Sequence, residues 1–142
     1  QNKASEALYR GVLRSSGRGP LAGKARHGLG LLYAPVDLSA ALVELREASR
    51  LRPTDAAIRS DLGFALMQVR RFSEARVELA TANELAPDNV AARNNLLILF
   101  YVLGDDASAQ RLAATAQVDS SLLARLKGQA QSFKTVRPAR AG

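Results

Sequence analysis

Small and apolar residues recur along this chain at the spacing of α-helices, and the arrangement is repeated. Two stretches have the same residue types at the same intervals and end at a proline: Ala41, Leu45, Ala48 and Pro53 in the first, and Ala75, Leu79, Ala82 and Pro87 in the second. Residues three and four positions apart lie on one face of a helix, so each stretch predicts a helix that stops near its proline. The two prolines stand 34 residues apart, an interval typical of stacked helix-turn-helix units. The pattern therefore predicts an all-α chain built from repeats.

The repeat pattern places residues 1–134 in one domain of several helical units. Three full units occupy the middle, preceded by a partial repeat with its loop and followed by a capping helix: 21–53, 54–87 and 88–118 for the units, 1–20 for the partial repeat, and 119–134 for the capping helix. The third unit departs from the pattern as terminal repeats do, because Leu97 stands where the other units have Gly30 and Gly63. Residues 135–142 lack apolar periodicity and predict a flexible basic tail.

The two glycines have a physical role in this arrangement. Because Gly30 and Gly63 lack a Cβ atom, each lets the second helix of its unit cross the first at short range, and Ala41 and Ala75 do the same from the other helix. A large residue at Gly63 would overpack this crossing and cost about 1–3 kcal/mol.

Composition predicts a soluble helical domain. The chain has 142 residues, of which 47% are apolar and 5% aromatic, with no cysteine and no apolar run of the roughly 18 residues that suggests a membrane span. The lack of cysteine argues against disulfides and thiolate metal sites. Because the chain begins with Gln1 rather than Met, we expect a processed or trimmed piece, with any signal peptide or lipid-attachment cysteine lying upstream.

The net charge of +7 is concentrated at the two ends of the chain. Residues 1–27 and 120–142 each carry an excess of five positive charges, whereas residues 28–119 are mildly acidic. Basic ends suit phosphate groups or an anionic membrane surface, but charges of this kind are more often simply solvated, and both interpretations stay open. Nucleic-acid binding is not expected, because no stacking aromatic residues lie among the arginines and lysines.

The sequence offers no evident catalytic residues. His27 is the single histidine, so a nucleophile-base pair or a histidine metal site is not expected, and we predict no enzyme activity, cofactor or metal. The segment 28–30 has two glycines but follows no predicted strand, so it is not interpreted as a phosphate loop. Five aspartates fall at loop starts or outward helix faces, where they would cap or solvate helices: Asp55, Asp61, Asp88, Asp105 and Asp106.

The landmark positions resemble the tetratricopeptide repeat family across residues 22–117. In the central unit the matching residues are Leu62, Gly63, Leu66, Phe72, Ala75, Leu79, Ala82 and Pro87. The resemblance implies a right-handed superhelix of antiparallel helix pairs, with an inner surface formed mainly by the first helix of each unit. It also implies a non-enzymatic scaffold that binds a protein or peptide partner.

The inner surface is the predicted partner-binding groove. Its candidate residues on the three first helices are Lys24, His27, Leu31, Ser60, Phe64, Met67, Asn94, Ile98 and Tyr101. The apolar members form a stripe that suits an amphipathic helix or an extended apolar peptide, with Asn94 available to the partner's backbone. The alternative is that the capping helix or the chain's own N-terminus fills this channel.

Arginine recurs at equivalent places in the three first helices, as Arg26, Arg59 and Arg93. A basic ladder for an acidic partner is one interpretation, and coverage of apolar surface by the arginine stems is the other. Some adaptors of this family hold the C-terminal carboxylate of heat-shock chaperones with a lysine and an asparagine. That clamp is not expected here, because His27 and Leu31 occupy the matching positions.

Segments around the central unit resemble the tetratricopeptide lipoprotein of bacterial tight-adherence pilus systems, namely 59–66, 72–75, 85–89 and 92–96. This resemblance implies an outer-membrane-anchored periplasmic pilotin that binds a helix of the pilus secretin and helps to localise or assemble it. Membrane contact would then come only from an upstream lipid anchor. The alternative is an interaction module of a larger cytosolic enzyme or regulator. A third hypothesis is self-association through the groove or the N-terminal half-unit.

Overall fold

The computed structural model describes residues 2–15 and 17–135. Within these residues the chain forms eight α-helices and no strand, which confirms the all-α prediction: α1 (Asn2–Ser15), α2 (Pro20–Tyr33), α3 (Leu38–Leu51), α4 (Ala56–Gln68), α5 (Phe72–Leu85), α6 (Val90–Val102), α7 (Asp106–Ala116) and α8 (Ser120–Thr135). Thr135, the first residue of the predicted tail, belongs to α8. The rest of that predicted tail, 136–142, lies outside the described residues.

The helices stack in chain order as pairs. α2 packs against α3, α4 against α5 and α6 against α7, and successive pairs meet where α3 contacts α4 and α5 contacts α6. α1 packs against α2, in the place of the second helix of an incomplete unit. This is the solenoid of antiparallel helix pairs that the repeat pattern predicts. A continuous apolar core follows the stack from Leu45 to Ala130.

Polar side chains at several helix starts explain why those helices begin where they do. Asp55 Oδ1 accepts a hydrogen bond from the Ile58 backbone N–H at 3.2 Å, and Asp105 Oδ1 accepts one from the Ser108 N–H at 3.1 Å. Such N-caps satisfy backbone donors that the first turn of a helix leaves unpaired. The capping role expected of these two aspartates is confirmed. At the start of α6, however, the cap is Asn89 and not the neighbouring Asp88.

The crossings within the first two pairs are as close as the glycines predict. A Cβ atom added at Gly30 would lie 2.7 Å from Leu45 Cγ, and one added at Gly63 would lie 2.5 Å from Leu79 Cγ. In each pair a leucine of the second helix therefore occupies the space that the glycine leaves.

The third pair exchanges the large and the small residue. Leu97, with 0% exposure, stands in the glycine position of α6, and Ala113, with 4% exposure, stands on α7 where the other units have leucine. Each pair therefore has one large and one small residue at these two repeat positions, but in the last pair the large residue belongs to the first helix. Leu97, which departs from the repeat pattern, is therefore matched by a small residue, Ala113, at the corresponding position of the second helix.

Candidate peptide-binding groove

Two adjoining depressions lie along the inner surface of the stack. The larger has a volume of about 550 Å³ and lies between α4, α6 and α8, with lining residues Leu38, Phe64, Met67, Gln68, Arg70, Ile98, Gln129, Ser132 and Phe133. The smaller has a volume of about 250 Å³ and is lined by Leu31, Ala34, Leu45, Asp61, Phe64, Ala65, Gln68 and Asn95. Because both contain Phe64 and Gln68, the two depressions form one groove that runs from α2 across α4 to α8. We call it the inner groove.

The C-terminal helix α8 covers the end of this groove. It packs mainly against α6, where Leu126 and Ala130 become buried. The Phe133 ring meets the Phe64 ring edge-on, with centroids 6.0 Å apart. The Lys127 ammonium lies 5.5 Å from the centroid of the Tyr101 ring. The capping helix therefore covers part of α6, as the alternative interpretation of the sequence anticipates, and leaves both depressions of the inner groove open.

The predicted groove residues fall into two groups. Lys24 and Leu31 are exposed, and His27, Phe64 and Asn94 are half-buried. The other four are nearly solvent-free: Ser60, Met67, Ile98 and Tyr101. The expectation that these four present an open surface is wrong, because they point into the interior or lie under α8. Met67 and Ile98 still form part of the wall of the larger depression, whereas Tyr101 lines neither depression. Partner contact by the remaining residues stays a prediction.

Hydrogen bonds join successive first helices along the inner groove. His27 Nε2 lies 2.6 Å from Asp61 Oδ2, which connects α2 to α4. Asn95 Nδ2 donates to Ser60 Oγ at 3.0 Å, which connects α6 to α4. The two pairs occupy matching positions in the repeat, with sequence separations of 34 and 35 residues. The sequence-based expectation that Asp61 only caps or solvates a helix is therefore corrected, because its carboxylate pairs with the histidine of the preceding unit.

Comparison with known proteins agrees with this arrangement. A sequence profile described as a tetratricopeptide repeat matches residues 32–97. Residues 32–97 therefore resemble tetratricopeptide repeats. It is also 42% identical, over 114 residues, to a TPR repeat-containing protein of Pseudomonas aeruginosa. That match includes 80% of this chain but 46% of the relative, so the chain spans about half the length of the protein it resembles. Repeats of this kind generally serve as protein–protein interaction modules.

The arginine ladder of the three units is largely neutralised. Arg26 Nη1 lies 2.9 Å from a Glu44 carboxylate oxygen, and Arg59 Nη1 lies 2.9 Å from Glu78. Each carboxylate comes from the second helix of the same unit. Arg93 has no such partner among the described residues, and its guanidinium donates to the Asn94 side-chain oxygen. A continuous basic ladder for an acidic partner is therefore not present, because two of its three charges are already paired.

Arg70 is a groove residue that the sequence analysis did not identify. It follows α4 with φ 64°, a left-handed conformation that costs a non-glycine residue about 1–2 kcal/mol. Gly104 takes the same conformation in the next unit, with φ 74°. Arg70 Nη1 donates to the Phe133 carbonyl of α8, and the guanidinium lies 5.2 Å from the centroid of the Phe72 ring. The sequence did contain a signal for Arg70, because an arginine stands at the position where the following unit has Gly104.

The pKa shifts of Asp55 and Asp105 arise from structural contacts. Burial opposes ionisation of Asp55, but hydrogen bonds from the Ile58 N–H and the Arg52 side chain prevail and lower its pKa. A hydrogen bond from the Ser108 hydroxyl, together with one from its N–H, lowers the pKa of Asp105. Neither carboxyl lines the inner groove. Within the described part of the chain, no three histidine, cysteine or acidic residues cluster as metal ligands.

None of the helices described here combines the length and the hydrophobicity needed to cross a bilayer.

Proposed function

We propose that this protein is a pilotin-like assembly factor that binds a helix of a tight-adherence pilus secretin in the inner groove. The observation that carries the proposal is the open apolar part of that groove, between Leu31 on α2 and Phe64 on α4. The pilus assignment is supported by the resemblance of the central unit to the tetratricopeptide lipoprotein of these systems. The similarity to a TPR repeat-containing protein is compatible with this role but carries no information about pilus assembly.

The open part of the groove has the chemistry that an amphipathic helix requires. Leu31 is 49% exposed and Phe64 is half-buried, so apolar surface is available for a partner to cover. Gln68 and Asn95 line the same depression and offer amide groups to the partner's polar atoms. An apolar floor with a few polar groups at its margin is the usual composition of a helix-binding groove.

The proposal is tested by titrating the folded chain, by calorimetry, with the C-terminal segment of the secretin encoded by the same pilus locus. We expect micromolar or tighter binding. Leu31→Glu or Phe64→Glu should weaken it by about 1–3 kcal/mol, because a charge replaces an apolar contact. Val77→Glu is the matched control, since Val77 on α5 is 63% exposed and lines neither depression. Equal binding of the secretin segment by the groove variants and the control would exclude the inner groove as its binding site.

Localisation follows from the same proposal. A pilotin of this kind would be periplasmic and associated with the outer membrane through an upstream lipid anchor. The competing function is that of a tetratricopeptide interaction module within a larger cytosolic enzyme or regulator. Fractionation of the source cells with an antibody to this chain separates the two, because outer-membrane recovery supports the pilotin and cytosolic recovery supports the alternative.

A further inference from the structure

The last helix does not continue the stack in the usual way. α3 contacts α4 and α5 contacts α6, so each second helix supports the first helix of the following unit. α8 follows α7 in sequence but packs mainly against α6. Its far end reaches the end of α4, where Phe133 meets Phe64 and Arg70. α8 therefore lies on the inner surface, where a partner helix would lie.

The apolar contact of α8 with this surface is incomplete. Leu126 and Ala130 are buried, while Leu122, Leu123 and Phe133 are only partly buried. Between α8 and the neighbouring helices lies the larger depression, of about 550 Å³. The α8 side contributes polar Gln129 and Ser132 as well as Phe133, whereas the opposite wall is built largely from apolar residues, among them Leu38, Phe64, Met67 and Ile98. Polar side chains opposite an apolar wall leave apolar surface that a better-matched helix would cover.

The ion pair that fastens α8 to α7 is weak. Lys127 Nζ lies 3.4 Å from Asp106 Oδ2, and both side chains are more than half exposed. Ion pairs of this kind contribute little because water screens the charges. The connection between α7 and α8 consists of residues 117–119, with Gln117 in the left-handed conformation at φ 57°.

We propose that α8 is a built-in occupant of the inner groove, and that the partner is an amphipathic helix that displaces it. The partner helix has the apolar spacing of α8 but carries apolar residues where α8 has Gln129 and Ser132. This inference rests on the proposed function of the inner groove and adds the kind of helix that binds and the contact that it replaces. Without the partner, α8 protects the apolar wall of α4 and α6 from water.

The first test uses a peptide probe. The probe is the α8 sequence, residues 120–135, carrying Gln129→Leu and Ser132→Leu and a fluorescein label, and its binding to the full chain is followed by fluorescence anisotropy. Because the chain lacks cysteine, Asp106→Cys and Lys127→Cys can be joined specifically by a short bismaleimide. The joined residues lie outside the depression, so the tether holds α8 without altering the groove wall.

We expect the probe to bind the untethered double variant, its thiols blocked with N-ethylmaleimide, at least tenfold more tightly than the tethered one. Displacement of α8 is the step that the tether prevents. Equal binding by the two forms would show that the probe does not replace α8. Failure of the probe to bind the blocked form would likewise overturn the proposal.

A second test changes α8 itself, so that it packs more completely against the wall of the larger depression. Gln129→Leu with Ser132→Leu in the full chain should fill part of the depression, raise the melting temperature and weaken probe binding about tenfold. Ala124→Leu is the control, because Ala124 is an exposed α8 residue that does not line the depression. An unchanged melting temperature and unchanged probe binding in the double variant would contradict the proposed competition.

The results also separate this inference from the pilus assignment. If the probe binds but the secretin segment does not, the displacement of α8 holds and the secretin is the wrong partner. If the secretin segment binds the tethered and blocked chains equally, the pilotin proposal holds and the displacement of α8 is rejected.

Discussion

A methyl group at Gly63 would overlap the buried side chain of Leu79. The new Cβ atom would lie 2.5 Å from Leu79 Cγ and 2.6 Å from Cδ2, well inside van der Waals contact. Cγ is the branch point of the leucine and cannot rotate away alone, and Leu79 is 0% exposed. Gly63→Ala therefore forces the α4 and α5 backbones apart or drives the leucine out of its preferred rotamer.

Two opposing contributions to the free energy of unfolding set the size of the effect of Gly63→Ala. Alanine is favoured over glycine inside a helix by about 1 kcal/mol. Overpacking of a filled core costs about 1–3 kcal/mol. Because the overlap at Gly63 involves a branch carbon and a fully buried side chain, we expect overpacking to prevail and Gly63→Ala to lower the free energy of unfolding by about 1 kcal/mol. In a Leu79→Ala background the overlap disappears, so the same change should stabilise that variant by about 1 kcal/mol.

The original chain, Gly63→Ala, Leu79→Ala and the double variant form a double-mutant cycle. Urea unfolding followed by circular dichroism measures the free energy of unfolding of all four. Gly128→Ala is the matched control, because Gly128 lies inside α8 and a Cβ atom there would meet nothing within 4 Å. We expect it to stabilise the chain by the helix-propensity term alone. The reasoning fails if Gly63→Ala stabilises as much as Gly128→Ala. It also fails if its effect is the same with leucine or alanine at position 79.

Three further predictions test the contacts described above. Tyr101→Ala should lower the free energy of unfolding by about 3–5 kcal/mol in urea titrations, because a large buried side chain is lost; a near-neutral change would contradict its burial. Asp55→Ala should cost about 1 kcal/mol at neutral pH. Because the pKa of Asp55 is lowered in the fold, this difference should be complete above the unfolded-state pKa and vanish as pH falls through the folded-state pKa. A double-mutant cycle of His27→Ala with Asp61→Ala should give a coupling of about 1 kcal/mol, whereas additive effects would refute the link between units.

The sequence determined the helices and their pairing because those features depend on near neighbours. The glycine at position 63 and the leucine at position 79 lie within one unit, and the aspartates that cap α4 and α7 act on backbone three residues away. The predicted units begin at 21, 54 and 88, and their first helices begin at Pro20, Ala56 and Val90. Local spacing, glycine placement and helix caps are sufficient to locate these elements.

The tertiary structure decided which residues of the groove remain accessible. The apolar periodicity of α8 shows that one of its faces is buried, but the same stripe could pack on α7 or fold back onto α6. Its packing on α6 removes Tyr101 from the predicted binding surface and brings Phe133 to Phe64, 69 positions earlier in the chain. The pairing of His27 with Asp61 depends in the same way on how consecutive units stack. Helical spacing is a local property of the chain, whereas the choice between competing apolar surfaces is made by the whole fold.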